Sequence, residues 1–242
     1  LLLGVALYFL QDFILFHPVS LKGNHQYEFP GKYKEINMPL DSVSNLNIIQ
    51  FYSADTVSRG AVLYFHGNKK NISWYAKYTP YFTKHGYEVW MIDYPGFGKS
   101  TGNFDEQTLY RWASLVYQFA GEKFSPDSII IYGKSMGTGI ASQLASVKPC
   151  KKLILETPYY SFPSLISNYL PIYPVDRMIH YKIPTWQYLQ QIKIPVSIFQ
   201  GTDDLTVPYR NAKRLKPFLK TTDEFITIEG GSHNDLFTFR QT

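Results

Sequence analysis

The stretch IIIYGKSMGTGIASQLA, residues 129–145, decides the fold. It opens on a run of isoleucines, turns through Gly133, Ser135 and Gly137, and continues as small and apolar residues. An apolar run that ends at a glycine turn before a helix reads as a strand of a parallel sheet buried on both faces. The spacing G-x-S-x-G places a serine on a turn whose backbone is strained, so the residues beside it must be tiny. Ordinary packing turns also use glycine and serine, and the reactive reading depends on what the rest of the chain supplies.

Outward from this stretch the same rhythm repeats. KEINMPL (34–40) and LNIIQFYS (46–53), joined by DSVSN, read as an antiparallel hairpin. AVLYFHG (61–67), EVWMIDY (88–94), KKLILET (151–157), PVSIFQG (195–201) and EFITIEG (224–230) read as further strands. Between them, residues 73–86 predict a helix kinked at Pro80, 104–120 and 136–147 predict two more, and 208–220 a last one. Apolar strands alternating with helices imply an α/β fold, a mostly parallel sheet with helices on both faces, and reactive loops at the carboxyl ends of the strands. The segment 158–194, rich in Tyr, Pro, Leu and Ile, is a short insert before the penultimate strand; it predicts one wall of a pocket, or a cover for the sheet edge.

The 242 residues, 45% hydrophobic and 18% charged, suit one globular domain over 19–242. The formal net charge of +5 is scattered without a nucleic-acid signature, which speaks against a nucleic-acid partner and leaves a solvated surface or attraction to anionic headgroups. A single cysteine, Cys150, excludes an intrachain disulfide framework and a cysteine zinc site. Residues 1–18, LLLGVALYFLQDFILFHP, carry one charge and do not begin with Met; they read as a truncated N-terminal anchor, transmembrane helix or signal segment, with an amphipathic helix packed on the domain as the alternative. On the first reading the protein is membrane-associated. Composition does not address the oligomeric state.

A serine hydroxyl becomes a nucleophile only when a base takes its proton and a third group orients the base. Of six histidines, His233 in EGGSHNDL follows the last strand directly, at the edge where Ser135 also lies. GTDDLTVP (201–208) offers Asp203 and Asp204 at the end of another strand. The order serine, acid, histidine is that of one hydrolase architecture. No metal is implied: HEXXH and paired ligand histidines are absent. Nor is a cofactor, since GFGKST imitates the end of a phosphate loop with Asp93 where its first glycine belongs.

Taken together, HGN, DYPGFGKSTG, GKSMG, GTDDLTVP and GSHNDL, from about Phe16 onward, resemble the α/β-hydrolase superfamily, and within it the branch of the Bem46-like proteins and the mammalian domain-13 and domain-17 hydrolases. The resemblance implies Ser135 as nucleophile, His233 as base, and Asp204 as the acid by the spacing G-x-x-D-x-x-V-P. It also implies an oxyanion hole from the backbone N–H groups of Asn68 and Met136. Asp93 then belongs to a structural loop, and His66 braces the loop after its strand. One departure is HGNKKN, where Lys69 and Lys70 replace the branch's small residues and make the entrance basic. The function implied is a serine hydrolase of carboxylic esters or thioesters, acting on a small-molecule or lipid-like acyl substrate. A serine peptidase of the aminopeptidase type and a non-catalytic scaffold are the competing readings.

Overall fold

In the computed structural model, which describes residues 2–239, Ile129–Lys134 is a strand and Met136–Val147 a helix, with Ser135 alone between them. Leu1 of the predicted anchor and the last three residues of the predicted domain lie outside the described residues. In chain order the strands are β1 (His17–Pro18), β2 (Tyr33–Pro39), β3 (Asn45–Phe51), β4 (Gly60–Phe65), β5 (Lys69–Lys70), β6 (Tyr87–Ile92), β7 (Ile129–Lys134), β8 (Lys152–Glu156), β9 (Val196–Gly201) and β10 (Glu224–Ile228). The helices are α1 (Leu2–Leu15), α2 (Ile72–Tyr75), α3 (Pro80–Thr83), α4 (Glu106–Gly121), α5 (Met136–Val147), α6 (Phe162–Ser167), α7 (Val175–Met178), α8 (Thr185–Leu189) and α9 (Tyr209–Lys213).

Eight strands form one sheet in the order β10-β9-β8-β7-β4-β6-β3-β2. β3 is antiparallel to both its neighbours, β2 and β6, and every other pair is parallel, as the sequence pattern predicts. Alternate residues of a strand face opposite sides, so Leu63 and Phe65 join one apolar cluster with Trp112 and Ile140 of the helices, while Val62 and Tyr64 join another with Ile72 and Tyr75. Burial on both faces is what makes β4 and β7 read as unbroken apolar runs.

Register then positions the loops. Phe65 pairs with Gly133, which brings the ends of β4 and β7 side by side. Gly201 pairs with Ile228, which does the same for β9 and β10. Two pairs of neighbouring strands, with β8 between them, therefore deliver four loops to one edge of the sheet.

Three segments depart from the sequence reading. The helix predicted over 73–86 is broken into α2, a 3-10 turn at Ala76–Tyr78, and α3 beginning at Pro80, because proline donates no N–H to the preceding turn. The one predicted over 208–220 is cut to α9 and a 3-10 turn at Lys216–Phe218, with Pro217 again at the break. The insert holds three short helices, α6, α7 and α8, that no periodicity announces.

The N-terminal segment is a 14-residue helix, about 21 Å at 1.5 Å per residue. Among the described residues no helix is long and apolar enough to cross a membrane, so the described part of this segment is not a span. α1 is clasped to the domain instead. Gln11 is buried, its side-chain amide donating to the Met178 carbonyl and accepting from the His180 N–H. Phe16, just beyond the helix, is buried against Phe104, Phe162 and Tyr181.

Candidate active site

Ser135 holds φ 51° and ψ −120°, a left-handed conformation that L side chains rarely adopt. The turn is held open at both ends: the Ser135 N–H donates to the Glu156 carbonyl at 2.9 Å, and the Thr138 hydroxyl donates to the Ser135 carbonyl at 2.6 Å. A Cβ on Gly137 would lie 2.0 Å from the Phe65 carbonyl oxygen, so the last glycine of the motif is where α5 touches the end of β4. That contact sets the loop after β4 beside the N-terminus of α5.

Ser135 and His233 line one cleft of about 210 Å³, together with Asn68, Lys69, Lys70 and Tyr75. His233 Nδ1 lies 2.8 Å from Asp204 Oδ2. A carboxylate accepts, so the proton sits on Nδ1 and Nε2 is left with a lone pair. Asp204 is buried, and its charge is met by donors: Thr206 N–H and Val207 N–H on Oδ1, each at 2.8 Å, and Gln200 Nε2 on Oδ2 at 3.2 Å. Asp203, its neighbour, is exposed and touches the Thr202 hydroxyl, although its own N–H ties the acid loop to the Gly231 carbonyl. Among the described residues no hydrogen bond joins the Ser135 hydroxyl to His233; such bonds are commonly loose before substrate binds.

Met136 opens α5, so its N–H is one that the helix leaves without an intrahelical acceptor. Asn68 is turned by two contacts to the N-terminal segment: its side-chain amide donates to the Leu15 carbonyl, and its own carbonyl accepts from the His17 N–H at 2.9 Å. Neither the Asn68 nor the Met136 N–H donates to an acceptor in the chain among the described residues.

His66 is fully buried, which removes it from proton transfer with a substrate. Its Nδ1–H donates to the Gly67 carbonyl at 2.7 Å, and its ring stacks on Tyr75. Nε2 sits 3.2 Å from Asp93 Oδ1 but off the line of a hydrogen bond. Burial pushes the Asp93 carboxyl above its ordinary range, partly offset by His66 and by the Ile72 N–H. Lys99 of the phosphate-loop lookalike is bonded to both oxygens of Glu35, at 2.8 and 3.0 Å.

Sequence reasoning missed the partner of Lys134, the residue between Gly133 and Ser135. Lys134 is buried, and its ammonium donates to Glu156 and, at 3.1 Å, to the His233 carbonyl; Glu156 also accepts from the Tyr132 hydroxyl. A lysine within a buried motif requires a buried acid, and Glu156, closing the apolar strand KLILE, is the signal that could have found it. Among the described residues no group of three or more His, Cys, Asp or Glu is placed to hold a metal ion.

The sequence model of the family described as "Serine aminopeptidase, S33" matches residues 56–188. Alpha/beta hydrolase domain-containing protein 17C of Xenopus tropicalis is 27% identical over 189 residues, 76% of this chain and 59% of that protein. Its counterpart in Homo sapiens is 26% identical over 189 residues, covering 76% and 56%. The chain thus spans less than two thirds of the length of these relatives. Among solved structures, the Pyrococcus furiosus esterase Pf2001 superposes with a TM-score of 0.68 at 19% identity, over 90% of this chain and 91% of that one. A cold-adapted esterase from an Arctic intertidal metagenomic library gives 0.67 at 15% identity, over 92% and 94%. These structures share the fold.

Proposed function

The chain belongs to the serine aminopeptidase, S33, family of the α/β hydrolases, and on that premise we propose that it is a serine hydrolase of carboxylic esters or thioesters, lipid-like acyl groups among them. The observation that carries the reading is the 2.8 Å contact of His233 Nδ1 with buried Asp204, in a cleft that Ser135 shares. Ser135 Oγ attacks the acyl carbon while His233 Nε2 takes its proton, and Asp204 stabilises the imidazolium that forms. The N–H groups of Asn68 and Met136 receive the negative oxygen, aided by the positive end of α5. Collapse breaks the bond to the alcohol or thiol, which leaves with the proton from His233. Water then enters by the same route and frees the acid and Ser135.

The aminopeptidase alternative needs an anionic group to hold a free amine. Among the described residues, those lining the cleft include Lys69, Lys70 and Lys134 but no Asp or Glu, which favours an ester or thioester over an N-terminal ammonium. Membrane association belongs to the same proposal. α1 exposes Phe9, Leu10 and Phe13 on its outer side, a face suited to lying in a bilayer surface.

The test is a fluorophosphonate probe with mapping of the adduct, alongside 4-nitrophenyl esters and peptide 4-nitroanilides. The expected result is labelling at Ser135 and hydrolysis of the esters. Brisk release of N-terminal residues from peptides would favour the aminopeptidase, and an unlabelled, folded protein the scaffold.

A further inference from the structure

An apolar cavity of about 270 Å³ lies between α1 and the insert. Ile14 and Leu15 form one side, and Ile166, Leu170 and Val175 the other. Two of its polar side chains are occupied: the Gln11 amide is bonded to backbone, and the Tyr169 hydroxyl bonds the carbonyls of Leu205 and Thr206 at 2.6 and 2.8 Å. We propose that this cavity receives the acyl chain of the substrate, and that α1 is the element that sets how long a chain it takes. The inference rests on the hydrolase reading above and adds to it a site and a specificity element.

Position is the first argument. The Leu15 carbonyl is bonded by Asn68, and the Tyr169 hydroxyl is bonded to Thr206. Asn68 and Thr206 both line the cleft that holds Ser135. Leu15 with Asn68, and Tyr169 with Thr206, are therefore the boundary between cavity and cleft, and on this proposal a chain whose carbonyl lies at Ser135 passes between the two pairs. A second cavity, of about 310 Å³, lies near Tyr132 and Phe237. Its boundary with the cleft is the Lys134–Glu156 ion pair, which an alkyl chain would have to strip of its partners. The chain belongs on the α1 side.

Size is the second. An apolar cavity of about 150 Å³ holds the six carbons of benzene, and on that scale this one takes about ten. The apolar lining reaches the surface, since Ile14 and Tyr169 of the cavity wall are 46% and 52% exposed. A chain entering from water or from a lipid surface meets apolar side chains throughout.

The experiment is kcat/KM for 4-nitrophenyl esters from acetate to palmitate, on the full chain and on three variants. In the unsubstituted protein the value should rise about fourfold per methylene up to about ten carbons and then level. Leu170→Trp and, independently, Ile14→Trp should leave the acetate ester within about twofold and lower the decanoate ester about 10²-fold, the equivalent of three to four methylenes. Leu170→Ala should move the optimum to longer chains. A flat profile, or folded tryptophan variants that keep the original profile while hydrolysing acetate, overturns the subsite and leaves the hydrolase reading standing. No hydrolysis together with no fluorophosphonate labelling overturns both.

Discussion

The Lys134 ammonium donates to the main-chain carbonyl of His233 across 3.1 Å, although 99 residues separate them. The same ammonium is bonded to Glu156, whose own carbonyl accepts from the Ser135 N–H. One buried cation thus ties the loop of the proposed base to the turn of the proposed nucleophile, and Lys134 is a positioning residue. Removing one partner of a buried pair leaves the other charge without compensation, at a cost of about 3–5 kcal/mol. Lys134→Met should lower stability by that amount. Adding Glu156→Gln removes the orphaned charge, keeps an acceptor for the Tyr132 hydroxyl, and should recover most of it. Turnover should stay about 10²-fold down in the double variant, because the His233 loop still lacks its tie. Denaturant unfolding and kcat, measured on the same samples, check the split; full recovery of both would reduce Lys134 to a stability role.

Ser135 is strained where it stands, at φ 51°. Ser135→Ala should abolish ester hydrolysis and probe labelling, with a loss in kcat of about 10⁶-fold, the scale of removing a triad serine. Ser135→Gly should be equally dead and more stable than the alanine variant by about 1 kcal/mol, since glycine relaxes a backbone that alanine leaves strained. Thermal unfolding of the two variants checks this. Equal stability would mean that the turn stores no strain at this position.

Asp204→Asn should lower kcat about 10⁴-fold, because an amide cannot hold the His233 tautomer or stabilise the imidazolium. Asp203→Asn should leave kcat within about threefold, the scale of an exposed side chain worth some tenths of a kcal/mol. A larger loss from Asp203→Asn would place the acid one residue earlier.

Much of this architecture is legible in the sequence, and the reasons differ by residue. β4 and the part of β7 before Lys134 announce themselves because burial on both faces leaves no charged position to blur the pattern. Gly137 is legible because only glycine fits 2.0 Å from a neighbouring carbonyl. Asp204 separates from Asp203 only through family spacing, since two adjacent carboxylates carry no local signal of which one turns inward. The insert is opaque because its helices are four to six residues long, too short to complete a periodic pattern. α1 is ambiguous for a different reason: an apolar helix docked on a protein and one lying in lipid have the same composition, and only Gln11 and Asp12 break the run.

Cys150 should be inert. It is 4% exposed, and burial pushes its thiol up to about 12, so almost no thiolate is present at neutral pH. N-ethylmaleimide at pH 7 should neither modify the folded protein nor lower ester hydrolysis, whereas the same treatment in denaturant should modify one thiol. Intact mass measures the first and last outcomes, and an activity assay the second. Modification of the native protein by the reagent would mean that Cys150 is reached without unfolding.

The two sides of α1 differ in what they meet, and each is tested separately. Its inner side is clasped through Gln11, whose loss leaves the His180 N–H and the Met178 carbonyl without partners; Gln11→Ala should cost about 1–3 kcal/mol of stability. Its outer side presents Phe9 at 75% and Phe13 at 80% exposure, four residues apart and so on one face. A ring that leaves water contributes about 1.5–3 kcal/mol, so Phe9→Ser with Phe13→Ser should weaken binding to phosphatidylcholine vesicles by about 10²-fold or more. Unfolding and ester hydrolysis of that double variant should be unchanged with water-soluble substrates. The unsubstituted protein should stay bound in 1 M salt, where charges more than about 3 Å apart are screened and only apolar contact persists. Co-sedimentation at low and high salt measures both. Release by salt alone would assign the association to Lys69, Lys70 and their neighbours, and the exposed phenylalanines would then have no part in it.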